Sequence, residues 1–227
     1  MAKYYKLLNE KYYKLLNEDG TTPLLGFQWP MPKGDKPGKW LPPIEGKLIP
    51  CGNGYHVLRL EDLLEWYGRI LVEVEIKRRA VRSGNKSVVR QARVVRVISG
   101  WNDRNLRLFA ADCAERVLPI WEKQHPKDMR PREAIKAARA FVNGKITFSD
   151  WAAARSAARS SSFDAFGTAA CAAAQSAVCA SAQASAQAAA QASARNDPGK
   201  HHTSYAVEWK WQKERLKEYI EGEVKPA

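Results

Sequence analysis

The clearest amphipathic register in the chain begins at Leu106. Leu106, Phe109, Cys113, Val117 and the pair Ile120/Trp121 recur at spacings of three and four, one stripe of an α-helix. The polar run 123–128 interrupts it. Pro131 then stands where a first-turn proline is tolerated, and Ile135, Ala138, Phe141 and Val142 give a second helix its apolar face up to Gly144. Ser149 or Asp150 is placed to cap a third helix starting at Trp151. Between Ala169 and Arg195, 15 of 27 residues are alanine, and Gln183, Gln187 and Gln191 recur every fourth position, with Arg195 continuing the series. Alanine is the strongest helix former, so this segment predicts a long helix of about 40 Å at about 1.5 Å per residue. Its small side chains would let a neighbouring backbone approach closely, with the glutamines towards water. Asn196-Asp197-Pro198-Gly199 ends it, and 205–221 reads as a last helix with Val207, Trp211, Leu216 and Ile220 inward.

Upstream of residue 99 the period shortens. Residues 54–57 read as a short strand; Leu60, Leu63, Leu64 and Tyr67 have helical spacing; 69–76 alternates as a strand; and a further strand, 87–98, follows across the loop Ser83-Gly84-Asn85. Nearer the start, Asp19-Gly20 is a turn signal leading into the apolar run 24–29, which predicts a hairpin. Residues 30–50 are dense in proline and glycine and predict an extended surface loop. The octapeptide KYYKLLNE occurs twice without a gap, at 3–10 and 11–18, and with no third copy it is not a solenoid repeat. Residues 1–10 are read as a duplicated leader. The expected class is α+β: an N-terminal domain (1–98) with a small mixed or antiparallel sheet and one helix, then a helical domain (99–227) containing the long alanine-rich helix.

Composition narrows the setting. With 227 residues and 45% hydrophobic content the chain can bury a core. Its 37 Lys and Arg against 24 Asp and Glu give a net charge of +13, which favours acidic partners: nucleic acid, an anionic surface or an acidic protein. Cys51, Cys113, Cys171 and Cys179 are scattered, with no C-x-x-C pair and no histidine at ligand spacing, so neither a zinc site nor a disulfide framework is indicated and no cofactor is expected. The opening MAKYYKLLNE lacks a signal-peptide core, and a cytoplasmic location is expected. Residues 165–194 carry no charge, but they are mostly Ala, Ser and Gln, too weakly apolar for a membrane span.

The run Phe109-Ala110-Ala111-Asp112-Cys113-Ala114-Glu115-Arg116-Val117-Leu118, followed by Arg130-Pro131-Arg132-Glu133-Ala134-Ile135, Ala137-Ala138-Arg139-Ala140-Phe141 and Gly144-Lys145-Ile146, resembles the Imm-5-like immunity proteins. The resemblance covers roughly residues 100–222, including Trp211-Gln212, Leu216 and Tyr219. It implies an antitoxin, in a toxin–antitoxin pair, that neutralises a toxin-like protein partner by binding, without catalysis. The N-terminal half resembles a domain of unknown function from phage and bacterial proteins over about 11–98, on Tyr13-Lys14, Asn17, Asp19-Gly20, Gly26-Phe27-Gln28-Trp29, Cys51, Gly54-Tyr55-His56 and Glu73-Val74-Glu75. That resemblance implies no activity.

Three features could carry function. Trp151, Arg155 and Arg159 fall on adjoining turns of one helix face, residue types enriched at protein-binding hot spots. The other reading buries Trp151 and pairs the arginines with Asp112 or Glu115. Residues 69–96 hold nine Lys and Arg and, after Glu75, no acid. On alternating strands Lys77, Arg79, Arg82, Lys86, Arg90 and Arg93 could share a solvent face that neutralises nucleic-acid phosphates, or simply be solvated. Lastly, Cys51-Gly-Asn-Gly-Tyr-His56 before a helix and a strand resembles the NAD-binding half of ADP-ribosyltransferase-like folds, which would make Glu73 or Glu75 a catalytic glutamate. The Ser-Thr-Ser strand and opening Arg or His of those folds are not recognisable, and a structural His56 with surface glutamates is the competing reading. No G-x-S-x-G, H-E-x-x-H or P-loop occurs. A non-enzymatic protein-binding role is therefore the leading expectation, with nucleic-acid binding second and ADP-ribosyl transfer third.

Overall fold

A computed structural model describes residues 10–66, 68–159, 188–189, 191 and 201–222. The first KYYKLLNE copy (apart from Glu10), Tyr67 and almost all of the alanine-rich segment lie outside the described residues, as does the Arg159 side chain. The chain divides into two compact units, Met1–Ser99 and Gly100–Ala227.

The first unit holds two three-stranded antiparallel sheets. Strands β1 (Tyr12–Leu16), β3 (Ile70–Lys77) and β6 (Gln91–Val97) form one, in the order β1-β3-β6; β2 (Tyr55–Val57), β4 (Val81–Ser83) and β5 (Lys86–Val89) form the other, in the order β2-β5-β4. Alternation along β1 puts Tyr12, Lys14 and Leu16 on one face and Tyr13 and Leu15 on the other. Both faces are covered, and all of these but Lys14 are buried. The core gathers Tyr12, Leu16, Trp29, Leu41, Val57, Val72, Val74, Val89, Ala92 and Val94. Leu60–Glu65 is a short 3₁₀ turn rather than an α-helix; its Asp62 carboxylate accepts from the Arg59 amide at 2.9 Å.

Two expectations are corrected in this unit. The apolar alternation of 87–98 is not one strand: it breaks at Arg90, and its halves β5 and β6 belong to different sheets. The Arg90 guanidinium fills the corner by donating to the carbonyls of Ile44 and Gly46. The run 24–29 is not a strand partner of β1, which pairs with β3 instead. A single bridge, Thr21 to Gln28, closes a tight turn whose tip exposes Leu24 (87%) and Leu25 (88%), while Trp29 turns inward. The proline-rich loop is extended as expected, and it covers an edge. Gly38, Leu41 and Ile44 donate their amides to Val94, Ala92 and Arg90 at 2.8–2.9 Å, closing the free side of β6 where prolines prevent a regular ladder.

The second unit is helical. Helix α1 (Asp103–Gln124) starts on an Asn102 cap whose side chain accepts from the Asn105 amide at 2.9 Å, and it buries Leu106, Phe109, Cys113, Val117 and Trp121, the stripe read from the spacing. Helix α2 (Arg130–Val142) carries Pro131 in its first turn and ends at Gly144, whose φ of 67° suits glycine. Helix α3 (Phe148–Arg159) begins three residues before Trp151. Thr147, not Ser149 or Asp150, caps it: its hydroxyl accepts from the Asp150 amide (3.2 Å) while the Asp150 carboxylate accepts from the Thr147 amide (3.0 Å), a reciprocal box. Helix α4 (His201–Glu221) lies close to Gly100, where a Cβ would stand 2.5 Å from the Ile220 carbonyl oxygen. Leu216 and Ile220 are buried on α4 as expected, but Val207 is 56% exposed. The inward positions there are Glu208, Gln212 and Tyr219.

Candidate functional site

Asp112, 7% exposed on α1, accepts from side chains of two other helices. Its Oδ1 accepts from Arg139 Nη2 of α2 at 2.7 Å, and its Oδ2 accepts from Arg215 Nε (2.7 Å) and Tyr219 Oη (2.8 Å) of α4. One carboxylate thereby joins three helices. Both arginines have a second acid: Glu115 for Arg139 and Glu218 for Arg215, at 2.5 and 2.6 Å. Although burial works against the charge of Arg215, its bonds to Asp112 and Glu218 raise its pKa, and burial with the Asp112 charge raises that of the Tyr219 phenol. A second buried acid, Glu208, accepts from Arg116 Nε at 2.6 Å and from Gln212 Nε2 at 3.2 Å, and the Arg116 guanidinium lies 4.5 Å from the Trp211 ring. Between these acids the Cys113 thiol is fully enclosed, and burial pushes its pKa well up, which suppresses its reactivity.

Of the expected docking edge on α3, Trp151 is 1% exposed, so the buried reading describes it. It stacks on Phe141 (4.8 Å between centroids, 7° between planes), and Arg107 lies 5.2 Å from its ring. Asp112 and Glu115 pair with Arg139 of α2, and Arg155 is half-buried. Sequence reasoning had no signal for the concavity beside this helix. A cleft of about 600 Å³ is lined by Ala154 and Ala157 of α3 and by Lys127, Asp128, Met129, Arg130 and Glu133 around the start of α2. Met129 is 46% exposed there, and Arg130 is held by Asp128 at 2.8 Å.

In the first unit most of the expected basic face is engaged within the chain. Arg82 forks onto buried Asp62 (2.5 and 2.6 Å), and Arg90 is spent on backbone carbonyls. Lys86 donates to Cys51 Sγ at 3.0 Å and stands 5.2 Å from the Trp66 ring. Arg93 pairs with Glu75 (2.6 Å) and Arg96 with Glu73 (2.8 Å), because the antiparallel register sets these residues opposite one another. Both glutamates of the ADP-ribosyltransferase-like reading are therefore in ion pairs. His56 Nε2 accepts from the Cys51 amide at 3.0 Å, and burial followed by the charges of Lys14 and Lys86 lowers its pKa, so the ring is held neutral as a structural acceptor. Lys77 and Arg79 are exposed. No group of three His, Cys, Asp or Glu able to hold a metal occurs among the described residues, and no helix among them is long and apolar enough to cross a membrane.

A family model, Imm-5 like putative immunity protein, matches residues 97–219. No curated protein and no solved structure matches the chain.

Proposed function

We propose, from the premise that this chain belongs to the Imm-5 like putative immunity protein family, that its helical unit neutralises a toxin-like protein by binding it directly. The match itself carries the reading, because it covers helices α1 to α4 apart from the last two residues, Ile220 and Glu221. The buried acids Asp112 and Glu208 support a binding role over a catalytic one: their oxygens accept from side chains that tie helices together. The cleft beside Met129 is the surface best suited to a partner, its lining combining the apolar Met129, Ala154 and Ala157 with the charged Lys127, Arg130 and Glu133. Arg155, next to Ala154 on α3, would flank it. The net charge of +13 suits an acidic or non-nuclease toxin better than a nuclease, whose inhibitors are expected to mimic acidic substrate. Action in the cytoplasm, where a producing cell would need protection, goes with this reading.

Co-expression with a panel of growth-inhibiting toxin domains tests it. One toxin should be silenced and should co-purify with the chain, and Met129→Arg should lose both effects while its circular dichroism stays unchanged. Absence of rescue and of any complex across the panel would contradict the proposal; rescue undiminished in Met129→Arg would move the surface elsewhere.

A further inference from the structure

The first unit carries a concentration of charge that its own acids do not neutralise. At the end of β3 the consecutive residues Lys77, Arg78 and Arg79 are all exposed, and Arg78 has a φ of 66°, a left-handed backbone uncommon for a residue with a long side chain. Lys77 Nζ lies 4.4 Å from the centroid of the half-buried Trp40 ring, and the Arg93 guanidinium lies 4.7 Å from the same ring. Lys39, next to Trp40, is exposed as well. The indole is brought there by the proline-rich segment, whose Gly38 and Leu41 amides bond to β6 on either side of Arg93. Among the described residues Lys39, Lys77, Arg78 and Arg79 have no ion-pair partner, and the one acid paired into the group, Glu75, is taken by Arg93. Two of these five cations, Lys77 and Arg93, flank the Trp40 ring, and Glu75 pairs with Arg93.

We propose that this cluster binds the phosphodiester backbone of nucleic acid, without sequence preference. Phosphate oxygens suit it because guanidinium groups present paired N–H donors that a phosphate accepts bidentately. Trp40 acts as a positioning residue, holding Lys77 and Arg93 by cation–π contact so that less side-chain freedom is lost on binding. The left-handed backbone at Arg78 comes directly after the end of β3 at Lys77, so the strict alternation of side chains along the strand stops there. Arg82 and Arg90 have no part in this site, since Asp62 and the 44–46 carbonyls occupy them.

Fluorescence anisotropy with the full chain and labelled single-stranded and duplex oligonucleotides of about 20 nucleotides tests the site. Affinity should fall steeply between about 50 and 200 mM salt. The variant Lys77→Glu/Arg78→Glu/Arg79→Glu should bind at least about tenfold more weakly, with a salt slope shallower by about 2–3, near 0.7–0.9 for each cation removed. Lys77→Gln/Arg78→Gln/Arg79→Gln should follow it in the same direction, and Trp40→Leu should show a smaller loss. A charge-matched control, Lys123→Glu/Lys145→Glu/Lys210→Glu in the other unit, should stay within about twofold of the unmodified chain. No binding at about 50 mM salt, an equal loss in the control, or competition by polyglutamate as effective as that by oligonucleotide would each overturn the assignment.

Discussion

The two units of this chain use the same ions in opposite ways. In the helical unit Asp112 is enclosed and shared among Arg139, Arg215 and Tyr219, so that three helices converge on one carboxylate. In the sheet unit Glu73 and Glu75 meet Arg96 and Arg93 across the strand register, and further cations at the β3 bend have no acidic partner among the described residues. Enclosure makes the difference. A buried carboxylate must be satisfied or it destabilises, so its partners are committed to structure, and their geometry selects how the helices meet. An exposed pair is screened by water and contributes about 0–1 kcal/mol, which leaves the surface free to be shaped by what it binds.

The comparison can be broken most sharply at Asp112. Asp112→Ala leaves Arg139 and Arg215 with Glu115 and Glu218 but strips the buried Tyr219 hydroxyl of its acceptor, and a loss of about 3 kcal/mol is expected, at the low end for breaking a buried pair. Denaturant unfolding of the full chain would show it as a lowered midpoint for the helical unit; a midpoint unchanged would mean that the hub contributes nothing net.

A second, smaller effect has the opposite sign. Lys14 of β1 shares a face with buried Tyr12 and Leu16 and has Trp29 5.7 Å from its ammonium, and burial lowers its pKa to about 8. A lysine harder to protonate when folded opposes folding below that value. Between about pH 8 and 10 the unfolded chain holds more protons at this site, so stability should rise with pH across that window. Lys14→Met should therefore stabilise the sheet unit by about 1–2 kcal/mol at pH 7 and flatten that rise. A thermal melt that shifts down, or keeps the same pH dependence, would contradict this account of Lys14.

How much of this was legible in the residues follows from where the determining contacts lie. Helices α1 and α2 show in the sequence because one side of each is apolar at helical spacing: Phe109, Cys113, Val117 and Trp121 are all inside. In helix α4 Leu216 and Ile220 are inside, as their spacing indicates, but the inward positions of its first half are the polar Glu208 and Gln212, so hydrophobic periodicity points to Val207 instead. The signal available was charge complementarity: a helix with Asp112 and Arg116 one turn apart asks for a partner with Arg and Glu. Trp151 looked equally suited to a surface or a core, and contacts from other helices, the stacking ring of Phe141 and the Arg107 guanidinium, decide it. The basic strands looked free because their acids are distant in sequence: Arg82 finds Asp62, and Arg93 and Arg96 find Glu75 and Glu73 through strand register. The cleft beside Met129 is a property of how α2 and α3 meet, which no local pattern encodes.

The contrast between a structural hub and a solvated ladder is tested most directly by two double-mutant cycles measured on the same chain by denaturant unfolding, one for Asp112→Asn with Arg215→Met and one for Glu73→Gln with Arg96→Met. A coupling of about 1.5–3 kcal/mol is expected for the first pair and about 0.2–1 kcal/mol for the second, the latter vanishing in high salt while the former persists. Equal couplings, or a coupling at Asp112 that salt removes, would contradict the account.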